Sequence, residues 1–268
     1  MRTCGVISGK GGRDMKGMLI GIAVLAVALM ARAADPKETA VVVCGHPDDL
    51  ISCAGAALVL SQRFEMHVID LTHGERGLGE AHYRDGSCKA LRIKEEERAC
   101  GILGAELHWL DEIDGEARAG KEAVAGFAQL FKRLRPRVVL MPWPVNTHCD
   151  HTMAMAAAWS ALLEAGLRSP SCAYREGSRP TEVYFYEQTT QTRSFRPTTF
   201  VDITKVKAKK DDLILSYACQ QPEMLKEQRT RDAIFWGMRC GVPYAESYVA
   251  CDGLARGDGV FAELGVQR

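Results

Sequence analysis

Two short runs of the chain gather the side chains that bind metals and move protons. The first is His46-Pro47-Asp48-Asp49 and the second is His148-Cys149-Asp150-His151. Neutral imidazole and carboxylate together suit zinc, whose catalytic sites use three protein ligands and keep a fourth position open. His46 and Asp49, three residues apart at a turn, can point the same way, and His151 is the natural third ligand. Asp48 then faces elsewhere and is free to act as a general base on the attacking water. His148 falls in the shell behind the ligands or over a substrate carbonyl. Asp150 can cap the helix that follows and accept a ring N–H, fixing a histidine tautomer. Cys149 lies inside the second run, but a thiolate site would normally draw on more than one soft ligand. The plainer account makes Asp48 or Asp49 a helix N-cap and each histidine a satisfied polar residue.

What argues against the plainer account is where the surrounding elements put the two runs. From residue 39 onward apolar strands alternate with amphipathic helices. Strands are expected at Thr39–Cys44, Met66–Thr72, Glu106–Leu110, Arg137–Met141 and Glu182–Glu187, with a sixth, edge strand at Thr199–Ile203. Helices are expected at Ile51–Arg63, Ala90–Leu103, Lys121–Leu134, Asp150–Ala165, Lys205–Cys219 and Glu223–Gly237. In the second of these, Glu95, Glu96, Glu97 and Arg98 form the wet face; residues 78–88 read as irregular. Alternation of this kind implies an α/β, Rossmann-like, doubly wound and mostly parallel sheet with helices on both faces. In a strand order of 3-2-1-4-5, the first and fourth strands are neighbours where the winding reverses, and ligands bind at their carboxyl ends. Those ends carry the two His/Asp runs.

With these residues in view, the sequence resembles the PIG-L/LmbE family of zinc-dependent N-deacetylases. The resemblance rests on Gly45-His46-Pro47-Asp48-Asp49, on Thr72-His73-Gly74-Glu75-Arg76-Gly77 and on His148–His151, and spans roughly residues 39–250. Softer matches are Arg92-Ile93-Lys94-Glu95 and Gly241-Val242-Pro243-Tyr244-Ala245-Glu246. The family implies an LmbE-like fold, zinc (with iron or cobalt as alternatives) on His46, Asp49 and His151, and Asp48 as base. It also implies His148 on the oxyanion or the leaving amine, Arg92 near the substrate, and an N-acetylglucosamine conjugate or related amide as substrate. Two departures stand out: Leu50 replaces a common acidic residue, and Gly45 replaces the usual alanine. The competing readings are a deacylase of a thiol-conjugate or antibiotic-like amide, and a non-catalytic sugar-binding domain on the same fold. Tyr83, Arg84, Trp143 and Arg193 lie in loops that would wall the substrate.

The remaining composition bounds the class. Lys and Arg number 34, as do Asp and Glu, with no long run of one sign, which points to a small molecule rather than nucleic acid as partner. Lys16, the apolar run Leu19–Met30 and Ala31-Arg32-Ala33 have the layout of a signal peptide over residues 1–33, with Met15 as an alternative start. The run is too short for a comfortable membrane span, so export of a single domain over residues 36–268, with no transmembrane segment in the mature protein, is expected. Ten cysteines without a C-x-x-C pair exclude a zinc ribbon, and buried thiols with one or two surface bridges are expected.

Overall fold

The computed structural model describes Met1 and residues 37–168, 181–188, 194–251 and 259–267. The signal-peptide segment and Arg193 therefore fall outside the described residues. From Glu38 onward the chain forms one compact unit. Its centre is a seven-stranded sheet of order β3-β2-β1-β4-β5-β7-β6. The strands are β1 Thr39–Cys44, β2 Glu65–Thr72, β3 Ala105–Glu112, β4 Val138–Pro142, β5 Glu182–Tyr186, β6 Thr199–Asp202 and β7 Ala245–Ala250. β1 to β5 run parallel; β7 is antiparallel to both β5 and β6. β1 lies between β2 and β4, in register Val42 to Val68 and Val42 to Leu140, so the winding reverses there.

The helices are α1 Ala54–Leu60, α2 Glu80–Arg84, α3 Ser87–Leu103, α4 Lys121–Leu134, α5 Cys149–Glu164, α6 Lys207–Leu215, α7 Pro222–Cys240 and α8 Val260–Glu263. Alternation along each strand feeds two separate cores, as the pleat requires. Val42, Cys44, Val68 and Leu140 face one core with α1, α3 and α6. Val41, Val43, Ile69 and Met141 face the other with Phe127, Phe131 and Ala158 of α4 and α5. Burial on both faces is why the central strands read as continuous β-branched and apolar runs.

Three local readings are corrected. The expected helix Ile51–Arg63 begins instead as a 3₁₀ turn, Asp49–Ser52, and the α-helix starts at Ala54. Residues 80–84 of the stretch read as irregular form α2. In α3, Glu95 and Glu96 are not on the wet face: they are buried at 6% and 0% exposure, while Glu97 and Arg98 are exposed. β7 was not anticipated, and its residues include the Glu246 of one of the softer motifs. Cys44, Cys53, Cys88 and Cys100 are buried thiols without bridges. No described helix is long and apolar enough to cross a membrane.

Candidate metal centre and active site

The end of β1 is shaped to bring two carboxylates close together while pointing them apart. A Cβ on Gly45 would come within 2.9 Å of His151 Cδ2, so glycine lets the His151 ring lie against the strand end. The Asp49 carboxylate turns back and accepts the N–H groups of Gly45 (2.7 Å) and His46 (3.2 Å). Asp48 adopts φ 93°, a left-handed conformation that costs a non-glycine residue about 1–3 kcal/mol and persists only when its surroundings enforce it. They do so here: its N–H donates to Glu96 Oε2 (3.1 Å), and Arg92 binds both the Pro47 carbonyl and the Asp48 carboxylate (Nη2 to Oδ1, 3.2 Å). Neither Asp serves as a helix cap through its side chain, which removes the plainer account of the pair.

The second run arrives from β4 as topology requires. His46 Nδ1 and His151 Nε2 face each other at 3.1 Å. Asp49 Oδ1 is 3.1 Å from His151 Nε2, and Asp49 Oδ2 is 3.9 Å from His46 Nδ1. The outer nitrogen of each ring is already engaged: His46 Nε2 with Asp150 Oδ2 (3.1 Å) and Asp114 Oδ1 (3.3 Å), His151 Nδ1 with Asn146 Oδ1 (3.1 Å). Acceptors on the outer nitrogens place the ring protons there. Two inner lone pairs then confront each other beside a carboxylate, an arrangement that calls for a cation between them. A proton on His46 can answer the same need for positive charge. Burial alone would lower the His46 pKa, yet Asp114, Asp150 and the Asp49 charge together raise it to about 10. Burial pushes Asp49 up, but His151, His46 and the Gly45 N–H hold it well below the usual carboxylate range. The donor set fits a divalent cation. His148 is also near, since nitrogens of His46, His148 and His151 lie within 4.8 Å of one another.

Comparison with known proteins shows the family. Residues 41–162 match the family model described as PIG-L, GlcNAc-PI de-N-acetylase. The chain is 33% identical over 241 residues to the 4-oxalmesaconate hydratase of Pseudomonas putida, covering 82% of this chain and 89% of that one. The chain belongs to the PIG-L family. A further relative, the diacetylchitobiose deacetylase of Thermococcus kodakarensis, is 29% identical over 215 residues, 75% of this chain and 78% of that one. Among solved structures, the 4-carboxy-2-hydroxymuconate hydratase of Pseudomonas putida KT2440 superposes with a TM-score of 0.68 at 27% identity, covering 84% of this chain and 100% of that one.

In this PIG-L chain several residues complete the site that the sequence did not single out. Asp114, in the loop after β3, is the second carboxylate on His46 Nε2, and is held by the N–H of Arg76 (3.0 Å). Its own N–H donates to Glu75 Oε1 (3.2 Å), which gives the Thr72–Gly77 motif a structural purpose. Asn146 Oδ1 also accepts the His148 backbone N–H (2.8 Å), so one amide orients the His151 ring and fixes the backbone at the start of α5. Asp150 is fully buried and accepts from His46 and from the Gly115 N–H (2.6 Å); the N-cap of α5 is His148, whose Nδ1 accepts the Asp150 N–H (3.4 Å). Asp150 is therefore placed as an orienting carboxylate, the tautomer role expected for it, without the capping role. Leu50 is fully buried in the apolar core, so the departure from an acidic residue does not reach the site.

Arg92, expected near the substrate, is only 3% exposed, and its guanidinium is committed to Asp48 and Pro47. Gly74 packs against it so closely that a Cβ there would meet Arg92 Nε at 2.7 Å. Of the loop candidates, Tyr83 lies under the Arg76 guanidinium (4.8 Å), Arg84 pairs with Glu80 (2.7 Å), and Trp143 packs edge-on to Phe185 (5.8 Å). Were Asp48 the base, Arg92 would position it and act on turnover rather than on substrate binding. Arg92→Lys, which loses the planar fork, is expected to lower kcat about 10–100-fold with KM within about twofold. Steady-state kinetics on the same substrate decide it; a change confined to KM would restore Arg92 to the substrate.

Proposed function

We propose that this PIG-L chain hydrolyses the N-acetyl group of an amino-sugar conjugate or a related small amide, releasing acetate and a free amine. The observation that carries the reading is the position of Asp48: beside the His46/Asp49/His151 set, outside it, and gripped from behind by Arg92. A divalent cation held by His46, Asp49 and His151 would polarise the scissile carbonyl and make water more acidic. Asp48 takes a proton from the attacking water, and burial together with the Asp49 charge raises its pKa against the pull of Arg92. His148, whose Nδ1 accepts a backbone N–H, presents Nε2–H as a donor to the oxygen on which charge develops. The proton on Asp48 then passes to the departing nitrogen, so the base ends as it began. Export through residues 1–33 belongs to the same proposal and rests on the sequence pattern alone.

One finding favours a second reading. A relative at 33% identity is a hydratase, and the same base and cation could deliver water to a carboxylate-bearing substrate. Against this, the buried Arg92 is committed to Asp48 and the Pro47 carbonyl and does not receive a substrate carboxylate; Arg76, held by the exposed Glu116, is the arginine a hydratase substrate would use. The test offers purified protein a panel of N-acetylglucosamine conjugates, diacetylchitobiose and 4-oxalmesaconate, with and without a chelator. Amine and acetate should appear from an N-acetyl substrate, fall at least ~100-fold with chelator and return with zinc. Consumption of 4-oxalmesaconate with no amine from any amide would replace this reading with the hydratase one.

A further inference from the structure

A second group of metal-binding side chains lies on β2 and β3, away from the catalytic edge. His67 is in register with Glu106, and His108 follows two residues later on β3, so all three project from one face of the sheet. His67 also pairs with Val41, five residues before His46, which puts the group roughly 16 Å from the catalytic turn at the usual rise per residue. His67 Nδ1 and His108 Nε2 are 3.0 Å apart, with the rings stacked at 5.3 Å between centroids. The Glu106 carboxylate spans both, with Oε2 at 3.6 Å from His67 Nδ1 and Oε1 at 3.7 Å from His108 Nε2.

These separations bracket what a metal imposes. A tetrahedral ion with bonds of about 2.0–2.2 Å to nitrogen and oxygen holds its donors roughly 3.3–3.6 Å apart. A shared proton between the imidazoles would use the 3.0 Å contact but would leave the Glu106 charge outside it. Arg133, itself exposed, lies 4.0 Å from that carboxylate. Glu65 Oε1 lies 4.0 Å from the other nitrogen of His67, on the side where a carboxylate would draw the ring proton and leave Nδ1 as a lone pair. The site is also reachable. His67 is 2% exposed, but the Glu106 side chain is 59% exposed, and a groove of about 600 Å³ walled in part by His108 and Arg133 opens beside it.

We propose that His67, Glu106 and His108 form a second cation site, separate from the catalytic one, for a borderline divalent ion such as Zn²⁺. Two imidazoles and one carboxylate with an open fourth position suit zinc, and would also accept Co²⁺, Ni²⁺ or Cu²⁺. Bound there, the ion would tie the edge strand β3 to β2.

Equilibrium dialysis of the full chain against Zn²⁺, followed by metal analysis, tests this. The wild type should hold two equivalents per chain, and His108→Gln and Glu106→Gln should each hold one with amide hydrolysis unchanged. These two positions were chosen because they are less enclosed than His67. In a His46→Ala/His151→Ala background, Co²⁺ should still give visible absorption bands, lost on adding His108→Gln. Zn²⁺ at ~100 times its Kd should raise Tm of that background by about 5 °C or more. If the background does not fold, the difference between wild type and His108→Gln decides alone. A wild-type stoichiometry that neither single substitution lowers would overturn the proposal.

Discussion

Asp48→Asn is expected to lower turnover about 10²–10⁴-fold while the metal bound at the catalytic set stays in place. Asparagine keeps the size of the side chain and an oxygen for Arg92, whose Nη2 lies 3.2 Å from Asp48 Oδ1. It removes the ability to accept a proton from water at neutral pH. The proposed ligand set is untouched, because Asp49 alone among the two carboxylates reaches His151 Nε2, at 3.1 Å. Metal analysis and turnover measured on one preparation separate the roles. Loss of the metal with Asp48→Asn would mean that the two carboxylates have exchanged parts.

Glu246→Ala is expected to cost about 3–5 kcal/mol of stability, read as a lowered midpoint in urea unfolding. Glu246 is 6% exposed and accepts four hydrogen bonds: from Gly55 N (2.8 Å), Ala56 N (2.8 Å), Tyr248 Oη (2.5 Å) and Lys210 Nζ (2.5 Å). It thereby supplies the first turn of α1 with the acceptor its own sequence lacks, since no side chain caps that helix. Removing it strands the Lys210 ammonium, itself only 2% exposed, with no carboxylate partner. Lys210→Met should be milder, because Glu246 keeps its three remaining donors. A loss below ~1 kcal/mol for Glu246→Ala would mean that water replaces the carboxylate.

The parallel half of the fold was legible because its strands are buried on both faces. Runs such as Val41-Val42-Val43 and Val138-Val139-Leu140 have no competing interpretation, and the strand order then placed His46 and His151 together. Long-range polar pairing was less legible. Glu96 looked solvated within a charged stretch of α3, yet it holds the Asp48 N–H and the Tyr217 hydroxyl, and burial pushes its pKa up to about 7. Asp114 was hidden among Asp111, Glu112 and Glu116, where spacing alone distinguishes none of them. β7 escaped because Ala245-Glu246-Ser247-Tyr248 lacks a β-branched run; its place is set by antiparallel pairing with β5 and β6. Arg92 was found, but its position beneath Asp48 depends on how α3 crosses the sheet.

The reach of Glu246 back to Gly55, 191 residues earlier, has a consequence for the order of events during synthesis. His46, Asp49 and His151 are all made long before Glu246 emerges. Until then the helix that follows the catalytic turn has open amides, and Lys210 has no counter-charge. A nascent chain can thus carry every proposed ligand and still lack the clasp on the helix that follows them. Protease resistance and metal retention should appear together, late, once β7 has paired with β5.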